Sequence, residues 1–193
     1  MAVGVNALTT WDRVKASLGF LSDDNKAAVE FLIDAVSAMA NRISGRLLKA
    51  RAYTDLRIDG SGTNTLILPD FPIVASPAIK IYVDSSRVFG AETELASTSY
   101  QVLTDTGMIR LYSGVFSRGI GNIKIVGTLG YSTIPEDLEL AAVECVGYNR
   151  RRLESGTTGM RLVSQEGTTT SQYELGLPQS VREVFESYRS QLL

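Results

Sequence analysis

The spacing of apolar residues changes twice along this 193-residue chain, and that change limits the possible folds more than any other feature. Over residues 23–47, apolar side chains recur every three or four positions, as on one face of a helix. Between residues 51 and 130 they come in short runs separated by Gly, Pro and Asp, which is typical of strands. Helical spacing returns over 135–153. The sequence therefore predicts an α+β protein: a helical core of three main helices with an inserted small antiparallel β module, then a flexible arm and a C-terminal helix.

The first two predicted helices begin at residues that commonly cap helices. Thr9 is the predicted N-cap of helix 9–19, because an acidic residue, Asp12, stands three positions later. Gly19 suits the left-handed residue that often ends a helix. Ser22-Asp23-Asp24 is predicted to open helix 23–47 with carboxylates in its first turn. For Trp11, packing into the core and anchoring an interface both remain open.

The β module is predicted over residues 51–130. The turn cluster Asp59-Gly60-Ser61-Gly62 is interpreted as a hairpin between its first two strands. Five or six short strands would make a small sheet or a barrel-like module. The strand candidates run through Tyr53, Leu56 and Ile58, then 65–68, 79–83, 100–103, 108–112 and 123–128.

The C-terminal part combines a polar arm with an amphipathic segment. Residues 155–172 are Gly, Ser or Thr at 11 of 18 positions, a composition that predicts a flexible arm. We therefore expect two parts: an adaptor core at 1–154 and an arm with a C-terminal helix at 155–193. The last helix carries an apolar stripe that would either fold back on its own domain or reach a partner. The stripe consists of Val181, Val184, Phe185, Tyr188 and Leu192.

Composition argues against an enzyme. The chain contains no His, which excludes Ser-His-Asp and Cys-His nucleophile arrangements and His-ligated metals. The single Cys145 cannot form an internal disulfide and is predicted to be a small buried apolar residue. The adjacent carboxylates at Asp23-Asp24 and Glu136-Asp137 are explained by helix starts. No catalytic residue, metal site or cofactor site is therefore predicted.

Charge and hydropathy exclude two further classes. The formal net charge is −2, and the only dense basic run is Arg150-Arg151-Arg152 at the end of a predicted helix. Since cations complement the end of a helix dipole, we do not expect tight DNA binding there. No apolar run approaches the ~18 residues of a membrane span. The first residues also lack the pattern of a signal peptide.

Taken in order, the motifs of this chain resemble those of the head–tail connector (adaptor) proteins of long-tailed bacteriophages. The resemblance covers nearly the whole chain, and its most specific piece is Gly130-Tyr-Ser-Thr-Ile-Pro-Glu-Asp-Leu138. The others are Leu8-Thr-Thr-Trp-Asp-Arg-Val-Lys-Ala-Ser-Leu18, Asp23-Asp24, Ala40-Asn-Arg-Ile-Ser-Gly-Arg-Leu-Leu48, Leu66-Ile-Leu-Pro69, Phe71-Pro-Ile-Val74, Ile79-Lys-Ile-Tyr82, Tyr100-Gln-Val102, Gly107-Met-Ile-Arg-Leu111, Ile123-Lys-Ile-Val126, Tyr148-Asn-Arg-Arg-Arg152, Leu177-Pro-Gln-Ser-Val-Arg-Glu-Val-Phe185 and Tyr188-Arg189.

The resemblance implies a non-enzymatic virion protein of the neck. Such adaptors form a dodecameric ring on the portal, contact a stopper or tail-completion protein on the other side, and let DNA pass without sequence-specific binding. On this basis the stripe of Val181, Val184, Phe185, Tyr188 and Leu192 is the expected portal contact. Two alternatives remain open: a stopper or tail-completion protein of the same neck region, and a cellular module whose sheet binds a peptide or glycan.

Overall fold

The computed structural model describes residues 3–19, 22–154 and 177–189. It divides into a helical unit, the described residues up to Gly45 and from Ile134 to Arg189, and a β unit, Arg46–Thr133. The predicted α+β class with an inserted β module is confirmed. The arm 155–172 lies outside the described residues, and the predicted division into 1–154 and 155–193 stays a prediction. Among the described helices, none is long and apolar enough to cross a membrane.

Four helices build the helical unit. They are α1 (Trp11–Leu18), α2 (Lys26–Ser44), α3 (Glu136–Glu154) and α4 (Gln179–Ser187). α2 and α3 each contact the other three helices of the unit. Trp11 is 5% exposed, so it packs in the core. The other buried apolar residues of these helices are Val14, Val29, Leu32, Ile33, Val36, Ala40, Leu138, Ala141, Ala142, Val143, Cys145, Val146, Val181 and Phe185.

The N-cap of α1 is Thr10, not the predicted Thr9. Thr10 has extended backbone angles, and its side chain accepts a hydrogen bond from the Arg13 amide. Thr9 is buried and donates its hydroxyl to Glu139 on α3, at 3.1 Å. Either threonine could cap a helix, and the tertiary contact of Thr9 decides between them. The predicted end of α1 is confirmed, because Gly19 has φ 71° and its amide bonds a helix carbonyl.

α2 is shorter at both ends than the predicted 23–47. Asp23 and Asp24 precede the helix and make other contacts: Lys15 Nζ lies 2.6 Å from Asp23, and Ser22 donates to Asp24. The Lys15 ammonium lowers the pKa of the Asp23 carboxyl. At the other end Gly45 adopts φ 69°, which stops the helix before residue 47. α3 agrees with the predicted 135–153 to within one residue at each end.

Six strands form two three-stranded antiparallel sheets in the β unit. One sheet has the order β1-β6-β3 and the other β2-β5-β4. All six match strands predicted from the sequence. Their bounds are β1 (Arg51–Gly60), β2 (Thr65–Ile67), β3 (Lys80–Val83), β4 (Tyr100–Leu103), β5 (Met108–Leu111) and β6 (Gly119–Leu129).

The predicted hairpin at Asp59-Gly60-Ser61-Gly62 is wrong, because β1 and β2 belong to different sheets. β1 pairs with β6, and β2 pairs with β5. The turn cluster therefore carries the chain from one sheet to the other. Turn residues indicate where a strand ends, but strand pairing is decided by the apolar faces that must meet in the core.

The two sheets share one core. Along β6, Ile123, Ile125 and Leu129 are fully buried and alternate with more exposed residues. Gly127 lies on the buried side because a Cβ there would come within 3.0 Å of Ile79. The remaining core residues are Leu66, Leu68, Ile73, Ile81, Tyr100, Ile109, Leu111 and Phe116.

A buried polar cluster holds the start of the β unit. Asp70 is 4% exposed and accepts hydrogen bonds from the Leu47 amide, at 2.7 Å, and from the Tyr53 hydroxyl. Burial and the Asp70 carboxylate raise the pKa of Tyr53. The Arg46 guanidinium lies over the Phe71 ring, 3.5 Å from its centroid. These contacts satisfy polar groups that would be costly to bury unpaired.

Candidate interaction surfaces

The apolar stripe of the C-terminal helix lies in the helical unit. Val181 and Phe185 are 1% and 0% exposed, and α4 contacts both α2 and α3. The Arg182 amide bonds the Pro178 carbonyl, which begins the helix. Proline suits this position because its fixed φ is compatible with a helix start. The last helix was expected either to fold back on its own domain or to reach a partner. In the structure it is folded back on its own unit.

The other three residues of the stripe occupy different environments. Val184 and Tyr188 are half-buried, and the Tyr188 hydroxyl donates to Asp137 on α3, at 2.7 Å. Leu192 lies outside the described residues. A partner that bound Val181 and Phe185 would first have to displace α4. Portal binding by this helix stays a prediction.

Sequence reasoning missed the polar contact between the N-terminal region and α3. One Glu139 oxygen accepts from the Thr9 hydroxyl at 3.1 Å, and the other lies 3.2 Å from Arg13 Nε. The position of Glu139 in the sequence indicates only a carboxylate in the first turn of the third helix, where the helix dipole favours an acidic residue. Nothing in its local sequence indicates partners about 130 positions earlier. The Arg13 side chain is 60% exposed, so this ion pair stabilises weakly in water.

Two shallow cavities lie along the helical unit. One, of about 290 Å³, is lined by residues of α1 and α3 that include Arg13, Glu139 and the 57%-exposed Leu140. The other, of about 220 Å³, is lined by Leu18, Gly147, Arg150, Arg151 and Glu154. The first cavity is at the lower limit of the ~300–1,000 Å³ of typical small-molecule sites, and the second is below it.

The basic run at the end of α3 behaves as a helix terminus. Arg150 Nε lies 2.7 Å from Glu154 one turn later, and Arg151 and Arg152 occupy the last turn. Cations at this position complement the helix dipole, as predicted. The pairing of Arg150 with an acidic residue leaves less positive charge for contact with phosphate.

Cys145 occupies the packed side of α3, as predicted. It is fully buried, and burial raises the pKa of its thiol to about 11. A thiol that stays protonated near neutral pH is a poor nucleophile. Among the described residues, no three His, Cys, Asp or Glu side chains are placed together to hold a metal ion.

Sequence reasoning also missed a hydrogen-bonded loop that follows β3. The Asp84 carboxylate accepts hydrogen bonds from the amides of Ser86, Val88 and Phe89 and from the Ser86 hydroxyl, at 2.6–2.9 Å. These bonds, led by that from the Ser86 hydroxyl, lower the pKa of Asp84 to about 2. The available signal was an Asp two positions before a Ser, since Asp side chains commonly bond backbone amides just ahead of them.

The fold resembles chains of a phage-like particle. A chain in the neck of an empty gene transfer agent (GTA) particle, computed with C6 symmetry, aligns with a TM-score of 0.62 at 19% identity, covering 98% of this chain and 93% of that one. A chain of the native GTA virion aligns with a TM-score of 0.53 at 18% identity, covering 98% of this chain and 93% of that one. A chain of the native GTA neck computed with C12 symmetry aligns with a TM-score of 0.50 at 16% identity, covering 98% of this chain and 96% of that one. These likenesses show a shared fold.

No curated protein matches this sequence. The family model of the head completion proteins matches residues 7–191, nearly the whole chain. This match confirms the resemblance to phage head–tail connector proteins and, with it, the predicted class, a structural protein of the virion. The chain belongs to the head completion protein family.

Proposed function

We propose that this protein is a non-enzymatic head–tail adaptor of the virion neck. In this role it forms a ring on the portal and links the DNA-filled capsid to a stopper or tail-completion protein. The observation that carries the proposal is the head completion family match over residues 7–191. The fold shared with a GTA neck chain supports the location in the neck.

Ring formation is supported by the symmetry of the related necks. The reconstructions that contain similar chains were computed with C6 and C12 symmetry. A ring of identical chains needs heterologous contacts, in which one surface of a subunit meets a different surface of its neighbour. We propose the same arrangement here, with DNA passing through the ring. The net charge of −2 suits a channel that does not hold DNA tightly.

We further propose that the C-terminal helix provides the portal contact. Val184 and Tyr188 at the edge of the docked α4, together with Leu192, would bind the portal directly. Val181 and Phe185 would take part only if α4 leaves its unit on binding. A Val184→Asp/Leu192→Asp double variant should then lose portal binding. Ser180→Asp, at an exposed position of the same helix, should retain it.

The adaptor role is tested by mass measurement with the portal. Light scattering after gel filtration would compare the protein alone, the portal ring of the same particle alone, and their mixture. The proposal expects a complex with one ring of this protein on each portal. If the protein instead binds only the tail-side neck components, it is a stopper or tail-completion protein and the adaptor role is wrong.

A further inference from the structure

One side of α2 is apolar although it is exposed. Phe31 on this side is 68% exposed. The residues that share its side of the helix, one or two turns away, are also exposed, and all are alanines: Ala27, Ala28, Ala35 and Ala38. We call this surface the α2 face. Since a helix side in water usually carries polar or charged residues, an exposed aromatic ring among alanines indicates a surface that another protein covers.

The α2 face points away from the rest of the helical unit and carries a small positive charge. α2 contacts α1, α3 and α4, and its buried residues lie on the side opposite Phe31. The charged residues of α2 that are at least partly exposed are Lys26, Asp34 and Arg42. The Asp34 carboxylate accepts a hydrogen bond from the Gly4 amide at 2.8 Å. Two cations against one carboxylate leave the exposed part of α2 net positive.

The larger cavity of the same unit, between α1 and α3, offers a site for an aromatic ring. Leu140, which is 57% exposed, and Val143 supply its apolar lining. Its volume is about 290 Å³, and a cavity of about 150 Å³ is enough to hold a benzene ring. Arg13 also lines it, and a guanidinium can pack against the face of such a ring. None of the described lining residues belongs to α2, so the cavity and the α2 face are separate surfaces.

Carboxylates outnumber cations around the cavity. Glu136 and Glu139 line it, and Glu144 is exposed one turn after Leu140. Arg13 is the one cation among the described lining residues, and it pairs with Glu139 at 3.2 Å. The cavity is therefore net negative, opposite in sign to the α2 face. Charge favours contact between the α2 face and the cavity, and disfavours contact of either surface with a second copy of itself.

We propose that Phe31 of one copy inserts into the cavity beside Leu140 of the neighbouring copy. This inference rests on the proposed function, because it identifies the two different surfaces that a ring of identical chains brings together. Burial of the Phe31 ring stabilises the contact, and the alanines beside it let the helices of the neighbour approach closely. A symmetric contact between two α2 faces would instead end at a dimer and leave both cavities uncovered.

Cysteine cross-linking tests this contact in the assembled ring. Ala35→Cys places a thiol one turn from Phe31, and Ser17→Cys places one on the exposed lining of the cavity, while the native Cys145 is buried. Full-length variants are assembled on the portal ring, treated with a short bis-maleimide and separated by denaturing electrophoresis. We expect a ladder of multimers from the double variant and dimers alone from a mixture of the two single variants. Each single variant by itself should remain monomeric.

The role of the aromatic ring is tested in the double-cysteine protein. Phe31→Asp removes the ring and places a carboxylate near Glu136, so we expect the yield of cross-linked multimers to fall at least roughly tenfold. Tyr112→Asp changes a 69%-exposed aromatic residue of the β unit and should leave the yield unchanged. Circular dichroism checks that both variants are folded.

The outcomes separate this contact from the adaptor role. Rings on the portal without cross-links between positions 35 and 17 overturn the contact and leave the adaptor role intact. Dimers from Ala35→Cys alone overturn it in favour of a symmetric pair, and a cross-link from that thiol to the portal assigns the α2 face to the portal instead. An unchanged yield with Phe31→Asp also overturns it. A ladder formed by a protein that does not bind the portal leaves the contact standing while the adaptor role fails, and no assembly of the wild type in any mixture overturns both.

Discussion

The phenol of Tyr188 donates a hydrogen bond to the Asp137 carboxylate at 2.7 Å, joining the end of the C-terminal helix to the first turn of α3. Val181 and Phe185 on the same helix are buried within that unit. α4 is therefore part of the helical core, although its apolar pattern alone suits an unattached helix equally well. Any role of this helix in assembly has to take its docked position into account.

Removing the largest buried side chain of α4 should destabilise the helical unit. Phe185→Ala deletes a fully buried ring, and we expect a loss of about 3–5 kcal/mol in the free energy of unfolding. Glu186→Ala, at the next and exposed position, should change it by less than about 0.5 kcal/mol. Urea denaturation followed by circular dichroism measures both. Equal stability of the two variants would show that α4 is not held by its apolar face.

Gly147 on α3 should tolerate a methyl group but not a large side chain. A Cβ at this position would lie 3.2 Å from Leu18 Cδ2, the flexible end of a side chain that can move slightly. Because alanine is also the better helix former, Gly147→Ala should change stability by no more than about 1 kcal/mol. Gly147→Leu should cost about 1–3 kcal/mol by pushing α1 away from α3. Urea denaturation measures the stability of each variant, with Glu144→Leu, at an exposed position of the same helix, as the control. If both leucine variants lose the same stability, Gly147 is not closely packed against Leu18.

The loop after β3 should lose its hydrogen bonds only at very low pH. The pKa of Asp84 is lowered from 3.8 to about 2, so the charged form favours the folded loop. This stabilisation is complete above pH 3.8 and is lost as the pH falls through about 2. The amide proton signals of Ser86, Val88 and Phe89 should therefore shift together with a midpoint near pH 2 in nuclear magnetic resonance spectra. In Asp84→Asn this titration should vanish, and a wild-type midpoint at the ordinary value of an Asp would contradict the hydrogen-bonding pattern.

Cys145 should be unreactive in the folded protein. Its thiol is buried and its pKa is raised from 9.0 to about 11, so both access and ionisation oppose alkylation at pH 8. We expect maleimide labelling only after unfolding in urea. Because the unfolded thiol ionises first, unfolding should also become easier as the pH rises from 9 towards 11. Rapid labelling of the native protein at pH 8 would contradict the burial of this residue.

The elements of the fold were predictable because each has a local signal. The alternation through Ile123 and Ile125, for example, identifies β6 without knowledge of its partners. The N-cap of α1 was not predictable, since the local pattern with Asp12 favours Thr9, whereas the distant Glu139 binds the Thr9 hydroxyl and leaves Thr10 as the cap. The pairing of β1 with β6 rather than β2 likewise depends on contacts across the sheet.

The interaction surfaces were less predictable than the fold. The apolar stripe of α4 was recognisable, but its docking on α2 and α3 depends on which surfaces those helices leave uncovered. The exposure of Val88 depends on the backbone conformation that Asp84 holds, which no apolar pattern reveals. Family membership was easier to predict than the docking of α4 or the exposure of Val88. The order of many weak motifs along the whole chain is informative even where each motif is common.

The most direct test of the adaptor role is an electron cryomicroscopy reconstruction of the neck in the particles that carry this protein. The account predicts a closed ring of copies around the DNA channel, directly against the portal, with a symmetry such as the C6 or C12 used for the related necks. Density for this chain only on the tail side, away from the portal, or no density in the neck at all, would contradict it.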